Sequence, residues 1–128
     1  MDSKLVFYKC EHCGNVVVKL HDSGVPLVCC GEEMVTLVAD STDAATEKHV
    51  PQVTVTGNSM HVQVGSVEHP MLDVHWIEFI VVETKKGFQM KWLNPGDAPV
   101  ADFVLDPEDE ALRVFEMCNI HGLWVTEL

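Results

Sequence analysis

Positive charge is what this chain has least of. Eight Lys and Arg stand against twenty Asp and Glu, a formal net charge of −12. Such a surface repels nucleic acid and anionic membrane, which leaves small molecules or a protein with a complementary patch as partners. Long hydrophobic runs are missing as well. No stretch approaches the ~18 consecutive apolar residues of a membrane span, and Met1-Asp2-Ser3-Lys4 leads into no signal-like apolar run. The chain therefore reads as soluble, not secreted and cytoplasmic. Its five cysteines cannot all pair, and Cys29 and Cys30 are adjacent. That argues against a secreted disulfide framework and for metal ligation in a reducing compartment. No helical periodicity convinces and no internal repeat is present. With 128 residues, the chain allows one ordinary domain, or a small metal-stapled one followed by another of about 90 residues.

Four of the cysteines fall early. Leu5 to Lys9 reads as a strand delivering Cys10-Glu11-His12-Cys13-Gly14, and Asn15 to Leu20 leads away as a second. A C-x-x-C-G turn aims two thiolates at one point, and its Gly permits the tight backbone of a metal knuckle. After the His21-Asp22-Ser23-Gly24 turn, Val25 to Val28 brings in Cys29-Cys30-Gly31, completing a four-sulfur set. Adjacent cysteines make that tetrahedron a distorted one. Zinc in a purely structural knuckle and an iron tetrathiolate both satisfy the spacing. His12 and His21 are surface residues on this reading, because four thiolates already fill a tetrahedron.

Glu32 to Val38 reads as an exit strand, and the polar stretch Asp40 to Thr46 marks a boundary. Two domains follow, 1–38 and 39–128. The second shows period-two, β-branched patterning with turns at regular intervals. Val53 and Val55, the Gly57-Asn58-Ser59 turn, and Val62 and Val64 make a hairpin. Trp76 to Glu83 is almost continuously apolar, as a central strand would be. Strands through Phe88 to Trp92, Ala101 to Leu105, Leu112 to Met117 and Leu123 to Leu128 complete the set. About seven short strands predict an all-β, immunoglobulin-like antiparallel sandwich. The acidic loop Asp106 to Glu110 lacks the EF-hand ligand spacing and reads as a solvated turn. His61, at a polar position of the hairpin, belongs to no site.

The remaining chemistry lies at strand ends. Cys118-Asn119-Ile120-His121-Gly122 puts a thiol and an imidazole three residues apart beside a Gly that lets the chain turn. His49 precedes Pro51 at the head of the first sandwich strand, His69 and Pro70 follow the hairpin, and His75 opens the central strand. A single histidine in a β-domain is more often a hydrogen-bonded surface or core residue than a ligand. Together the five residues would place four imidazoles and one thiolate around one metal with the sixth octahedral position open. That is the arrangement of a catalytic centre.

The motifs C-x-x-C and C-C, then Glu47-Lys48-His49-Val50-Pro51, Glu68-His69-Pro70-Met71, His75-Trp76-Ile77-Glu78 and Cys118-Asn119-Ile120-His121-Gly122-Leu123-Trp124, occur in this order along essentially the whole chain. In this the chain closely resembles the desulfoferrodoxins, two-iron superoxide reductases. The resemblance implies a desulforedoxin-like domain joined to an immunoglobulin-like sandwich, usually in a homodimer. It implies that Cys10, Cys13, Cys29 and Cys30 bind a first iron, and that His49, His69, His75, Cys118 and His121 bind a second, catalytic one. Lys48 would then assist superoxide approach and protonation of the product, Glu47 would be able to move onto the open position, and a rubredoxin-like protein would supply electrons. Two departures stand out: Leu123 where a second histidine often follows the C-terminal H-G, and Leu72-Asp73-Val74 in place of a more charged stretch. Neither touches a ligand position. The rival reading is a non-catalytic metal-binding or electron-transfer module. A dismutase is weaker, because a strongly donating thiolate stabilises the ferric state against the oxidising half-reaction.

Overall fold

The computed structural model describes residues 5–128. Met1-Asp2-Ser3-Lys4, read above as no leader, lies outside them. The chain separates into two compact units, one ending at Val38 and the other beginning at Ala39.

The smaller unit is built of short strands: β1 (Phe7–Lys9), β2 (Val16–Val18), β3 (Val28–Cys29), β4 (Glu32–Glu33) and β5 (Val35–Thr36). β1 lies between β2 and β5 in one antiparallel sheet, and β3 and β4 form a two-stranded ribbon. The stretch read as one exit strand is therefore two. Met34 donates its N–H to the Leu27 carbonyl at 2.8 Å to close the ribbon, after which Val35 and Thr36 cross over to pair with Lys9 and Tyr8.

The larger unit is a sandwich. One sheet runs in the order β10 (Val100–Val104), β7 (Ser59–Val64), β6 (Pro51–Thr56), and the other β12 (Gly122–Glu127), β11 (Ala111–Cys118), β8 (Ile77–Thr84), β9 (Phe88–Trp92). All pairings are antiparallel. Alternation along β7 sends Met60, Val62 and Val64 inward while His61 stays exposed. Those three pack against Ala101 and Phe103 of β10 and against Ile77, Ile80, Val82 and Val114 from the facing sheet. Gln89 Nε2 donates to the Val104 carbonyl at 2.9 Å and Thr126 Oγ1 to the Pro51 carbonyl at 2.7 Å, tying the sheets together along both flanks.

One helical turn, α1 (Thr46–His49), stands just ahead of β6. Sequence periodicity does not reveal it, because four residues carry no helical period. Val50 ends it in an extended conformation, φ −70° and ψ 123°, as a residue before proline prefers. A second irregularity lies in β11. Met117 pairs with Phe79 but Cys118 with Ile77, so Glu78 is passed over, and such bulges re-aim a side chain at a strand end.

Candidate metal centres

In the small unit the two knuckles bring four sulfurs together. Cys13 Sγ lies 3.6 Å from Cys29 Sγ, and Cys29 Sγ lies 4.0 Å from Cys30 Sγ. Metal–sulfur bonds of about 2.3 Å in a tetrahedron require sulfurs about 3.8 Å apart, so the set fits one ion, and no disulfide forms among them. Adjacent cysteines both face one point only if the backbone reverses between them. Cys30 accordingly has φ +53° and Gly31 φ +75°, a left-handed conformation that is costly for a residue with a Cβ. The protons of the metal-free cluster are unevenly shared. The Cys13 backbone N–H draws the Cys10 thiol down to about 6 against the opposing effect of burial, whereas bonding to the sulfur of Cys10, then to those of Cys13 and Cys29, pushes Cys30 up to about 12. Such coupled thiols release protons as a set when a cation enters. His12 and His21 are exposed, and His12 pairs with Glu32.

The second group gathers at one end of the sandwich. His49 closes α1, His69 follows β7, His75 precedes β8, Cys118 ends β11 and His121 precedes β12. Nδ1 of His49 bonds the Ala45 carbonyl at 2.7 Å and Nδ1 of His69 the Pro70 carbonyl at 2.6 Å. With Nδ1 as donor, each ring turns an unprotonated Nε2 toward the cluster. His49 Nε2 lies 3.2 Å from His69 Nε2 and 3.1 Å from His121 Nδ1, and Cys118 Sγ lies 3.9 Å from His121 Nδ1. The ligand atoms of His49, His75, Cys118 and His121 are all within 4.8 Å of one another. His69 joins them through His49 and through a ring centroid 4.7 Å from that of His75. Bonds of about 2.1 Å at right angles separate neighbouring donors by about 3 Å, so the spacing suits a shared ion. His75 Nε2 is buried with no hydrogen-bond partner among the described residues, a costly state that a metal would relieve.

The local chain explains these positions. Cys118 pairs with Gly122, so residues 119–121 form a three-residue hairpin loop that closes through Gly122 at φ +78°. The His121 N–H donates to Cys118 Sγ at 3.4 Å. Burial pushes the Cys118 thiol up, and the His121 and Ile120 backbone N–H groups partly offset this. Burial is also the first cause that lowers the imidazoles: His69 falls to about 4, while His49 and His75 shift the same way, with the Lys48 charge adding a smaller push on both. Near neutrality these rings are unprotonated and able to bind a cation. Glu47 and Lys48 are exposed on α1. Among the described residues Lys48 forms no ion pair, and its charge is felt at His49 and His75.

Sequence reasoning passed over three residues here. Trp124 stacks on His49 with centroids 4.9 Å apart and donates Nε1–H to the His121 carbonyl at 3.2 Å, and its place in the C-x-x-H-G-x-W run was the available signal. Glu116 is fully buried, and among the described residues neither carboxylate oxygen is bonded. Burial, then Asp40, pushes its carboxyl well up, and nothing in an apolar-patterned strand marks it beforehand. Gly65 is the third. It has φ +80°, and a Cβ there would stand 2.3 Å from the Val67 carbonyl oxygen and 2.7 Å from that of Glu47. Elsewhere, His61 pairs with Asp102 on the exposed side of its sheet. In the acidic loop, Asp109 accepts from Thr84 Oγ1 at 2.6 Å and from the Lys86 N–H, and Glu110 pairs with Lys85, so these carboxylates anchor the β8–β9 turn.

Comparison with known proteins gives one answer along the chain. The family model described as Desulfoferrodoxin matches residues 41–127, and that described as Desulfoferrodoxin, N-terminal domain, matches residues 3–37. A desulfoferrodoxin of Nitratidesulfovibrio vulgaris is 46% identical over 127 residues, 99% of each chain. A desulforedoxin of Megalodesulfovibrio gigas is 64% identical over 28 residues, 22% of this chain and 76% of its own. The crystal structure of the superoxide reductase from Treponema pallidum superposes with a TM-score of 0.81 at 35% identity, covering 97% of this chain and 99% of that one. With both of its units matched in order and both ligand clusters assembled, this chain belongs to the desulfoferrodoxin family.

Proposed function

We propose that the chain is a superoxide reductase, taking superoxide, one electron and two protons to hydrogen peroxide. The observation that carries the reading is the gathering of His49, His75, Cys118 and His121 ligand atoms within 4.8 Å of one another at the sandwich end, with His69 Nε2 3.2 Å from His49 Nε2, the five residues coming from four separate segments. The relatives named above, a desulfoferrodoxin and a superoxide reductase, support it. Iron(II) bound there supplies the electron, and with four neutral imidazoles and one thiolate the set carries a net charge of about +1 that suits an anionic diatomic.

The chain's own residues supply the rest. His49 and His69 are held in one tautomer by the carbonyls of Ala45 and Pro70, so neither ring must reorient when a cation binds. Cys118 loses its proton on binding, and the His121 N–H bonded to its sulfur moderates how much charge it donates. The Lys48 ammonium carries a positive charge felt at His49 and His75 in a chain of net charge −12, which locally offsets a field that opposes superoxide. Through water, the same ammonium delivers a proton to the reduced product. Glu47, on the same exposed turn, would be a carboxylate able to approach an iron held there.

Cys10, Cys13, Cys29 and Cys30 hold the first iron as a tetrathiolate. A rubredoxin-like donor, a homodimer and a cytoplasmic location complete the proposal, supported by the family and by cysteines left as thiols. Metal analysis with an optical spectrum before and after mild oxidation tests it. About two irons per chain and a thiolate-to-ferric band appearing only on oxidation are expected. Fully iron-loaded protein with no such second band, or with the band surviving in Cys118→Ser, would overturn the ligand set. Zinc in the first site with that band retained would keep the enzyme and remove any electron relay.

A further inference from the structure

His75 is held differently from its neighbours. His49 and His69 anchor their rings through Nδ1, but among the described residues the His75 ring makes edge contacts alone, with centroids 4.7 Å from His69 and 5.1 Å from His121. Its direction is therefore set by the backbone that carries it. That backbone is a tight turn in which the Leu72 N–H donates to the His75 carbonyl at 2.9 Å and the His75 N–H to the Leu72 carbonyl at 3.0 Å. Packing contributes little, since Leu72, Asp73 and Val74 are all exposed, Val74 at 75%. Three polar groups of the segment face away from this turn: the Val74 carbonyl and the N–H and carbonyl of Trp76.

One residue takes all three. Asn119 Oδ1 accepts from the Trp76 N–H at 2.9 Å, Asn119 Nδ2 donates to the Val74 carbonyl at 3.0 Å, and the Asn119 N–H donates to the Trp76 carbonyl at 3.2 Å. These bonds bracket His75 on both sides across more than forty residues of chain. The residue type matters, because an amide offers an acceptor and a donor at one reach. Aspartate loses the donor, and alanine loses both. Asn119 also adjoins Cys118 in the loop that ends at His121, so the same three bonds lock His75 to two other ligands as one unit.

We propose that Asn119 is the positioning residue for His75, taking the part that a ring hydrogen bond plays for His49 and His69. The proposal rests on the reading that the five residues hold iron. The test is a double-mutant cycle on full-length, iron-loaded protein, comparing wild type, Asn119→Ala, His75→Ala and the double variant for iron(II) release to a chelator. Loss of such an outer hydrogen bond typically weakens a site 10–100-fold, so Asn119→Ala should release iron about 10–100-fold faster and add little to His75→Ala. Asn119→Asp, which keeps the acceptor for Trp76, should fall between and serves in the same cycle if the alanine variant fails to fold. The thiolate-to-iron band should persist at shifted energy in both Asn119 variants, because Cys118 is untouched. Release at the wild-type rate, or effects of Asn119 and His75 that simply multiply, would overturn the proposal. A wild-type protein without the thiolate band would overturn the ligand set instead.

Discussion

Lys48 is a small feature with a large assigned effect. Superoxide must approach a chain of net charge −12, and on the proposed reading the Lys48 ammonium, whose charge is felt at His49 and His75, raises its local concentration. Lys48→Ile should slow the second-order reaction with superoxide by on the order of tenfold while iron content stays intact. An unchanged rate would remove Lys48 from the reaction. The imidazoles make a different prediction, for stability. His69 titrates at about 4 in the folded chain against 6.5 ordinarily, so it stays neutral when folded and takes up a proton when unfolded. Its contribution is complete above pH 6.5 and disappears as pH falls toward about 4. The urea midpoint of metal-free protein should drop across that window, and His69→Gln should flatten the drop. An identical slope in the variant would mean that other groups carry it. The residue types and their spacing were readable beforehand, but Asn119 and Glu116 were not. Hydrogen bonds across forty residues, and the burial of a carboxyl inside a sheet, exist only once strands are paired.

Among the elements, the turn after β7 governs α1. The Gly65 N–H donates to the Val50 carbonyl at 3.2 Å and the Val67 N–H to the Glu47 carbonyl at 2.9 Å, so this turn clasps the one that carries Glu47, Lys48 and His49. A methyl group at Gly65 meets backbone atoms at 2.3 to 2.8 Å in a left-handed conformation. Gly65→Ala should cost about 2–3 kcal/mol, read as a lower urea midpoint in metal-free protein, and should slow the superoxide reaction by displacing Lys48. A variant as stable as wild type would show that the turn relaxes freely. Period-two patterning announced the β6–β7 hairpin because β7 has a wet face and a dry one, whereas in β6 Val53 is half-buried and Val55 exposed. The inner strands β8 and β11 were recognisable as strands, but which residues faced the core was not. Ile80, Val81 and Val82 are all buried, so no alternation survives to point inward. α1 was invisible, and it delivers His49. His49, His69, His75, Cys118 and His121 all fall at or between strand ends, yet spacing along a chain does not say which end of a sandwich each one reaches.

Across the whole molecule, each metal set draws on one unit alone: the cysteines up to Cys30 on the first, and His49 through His121 on the second. Removing one metal should therefore leave the other's ligands in place. Cys13→Ser should lose the tetrathiolate absorption and its iron while retaining the direct reaction with superoxide at an unchanged second-order rate. A rate that falls with the first iron would make that centre part of the reaction itself. The same partition acts in time. A chain emerges from its N-terminus and domains fold as they appear, so the first set is complete once Cys30 is clear. The second lacks two of its five donors until Cys118 and His121 have followed and β12 has closed on β11. During synthesis the nascent chain is a thiol metal-binder well before it can become an oxygen-handling enzyme, so its reactive iron is assembled only when the sandwich that contains it is whole.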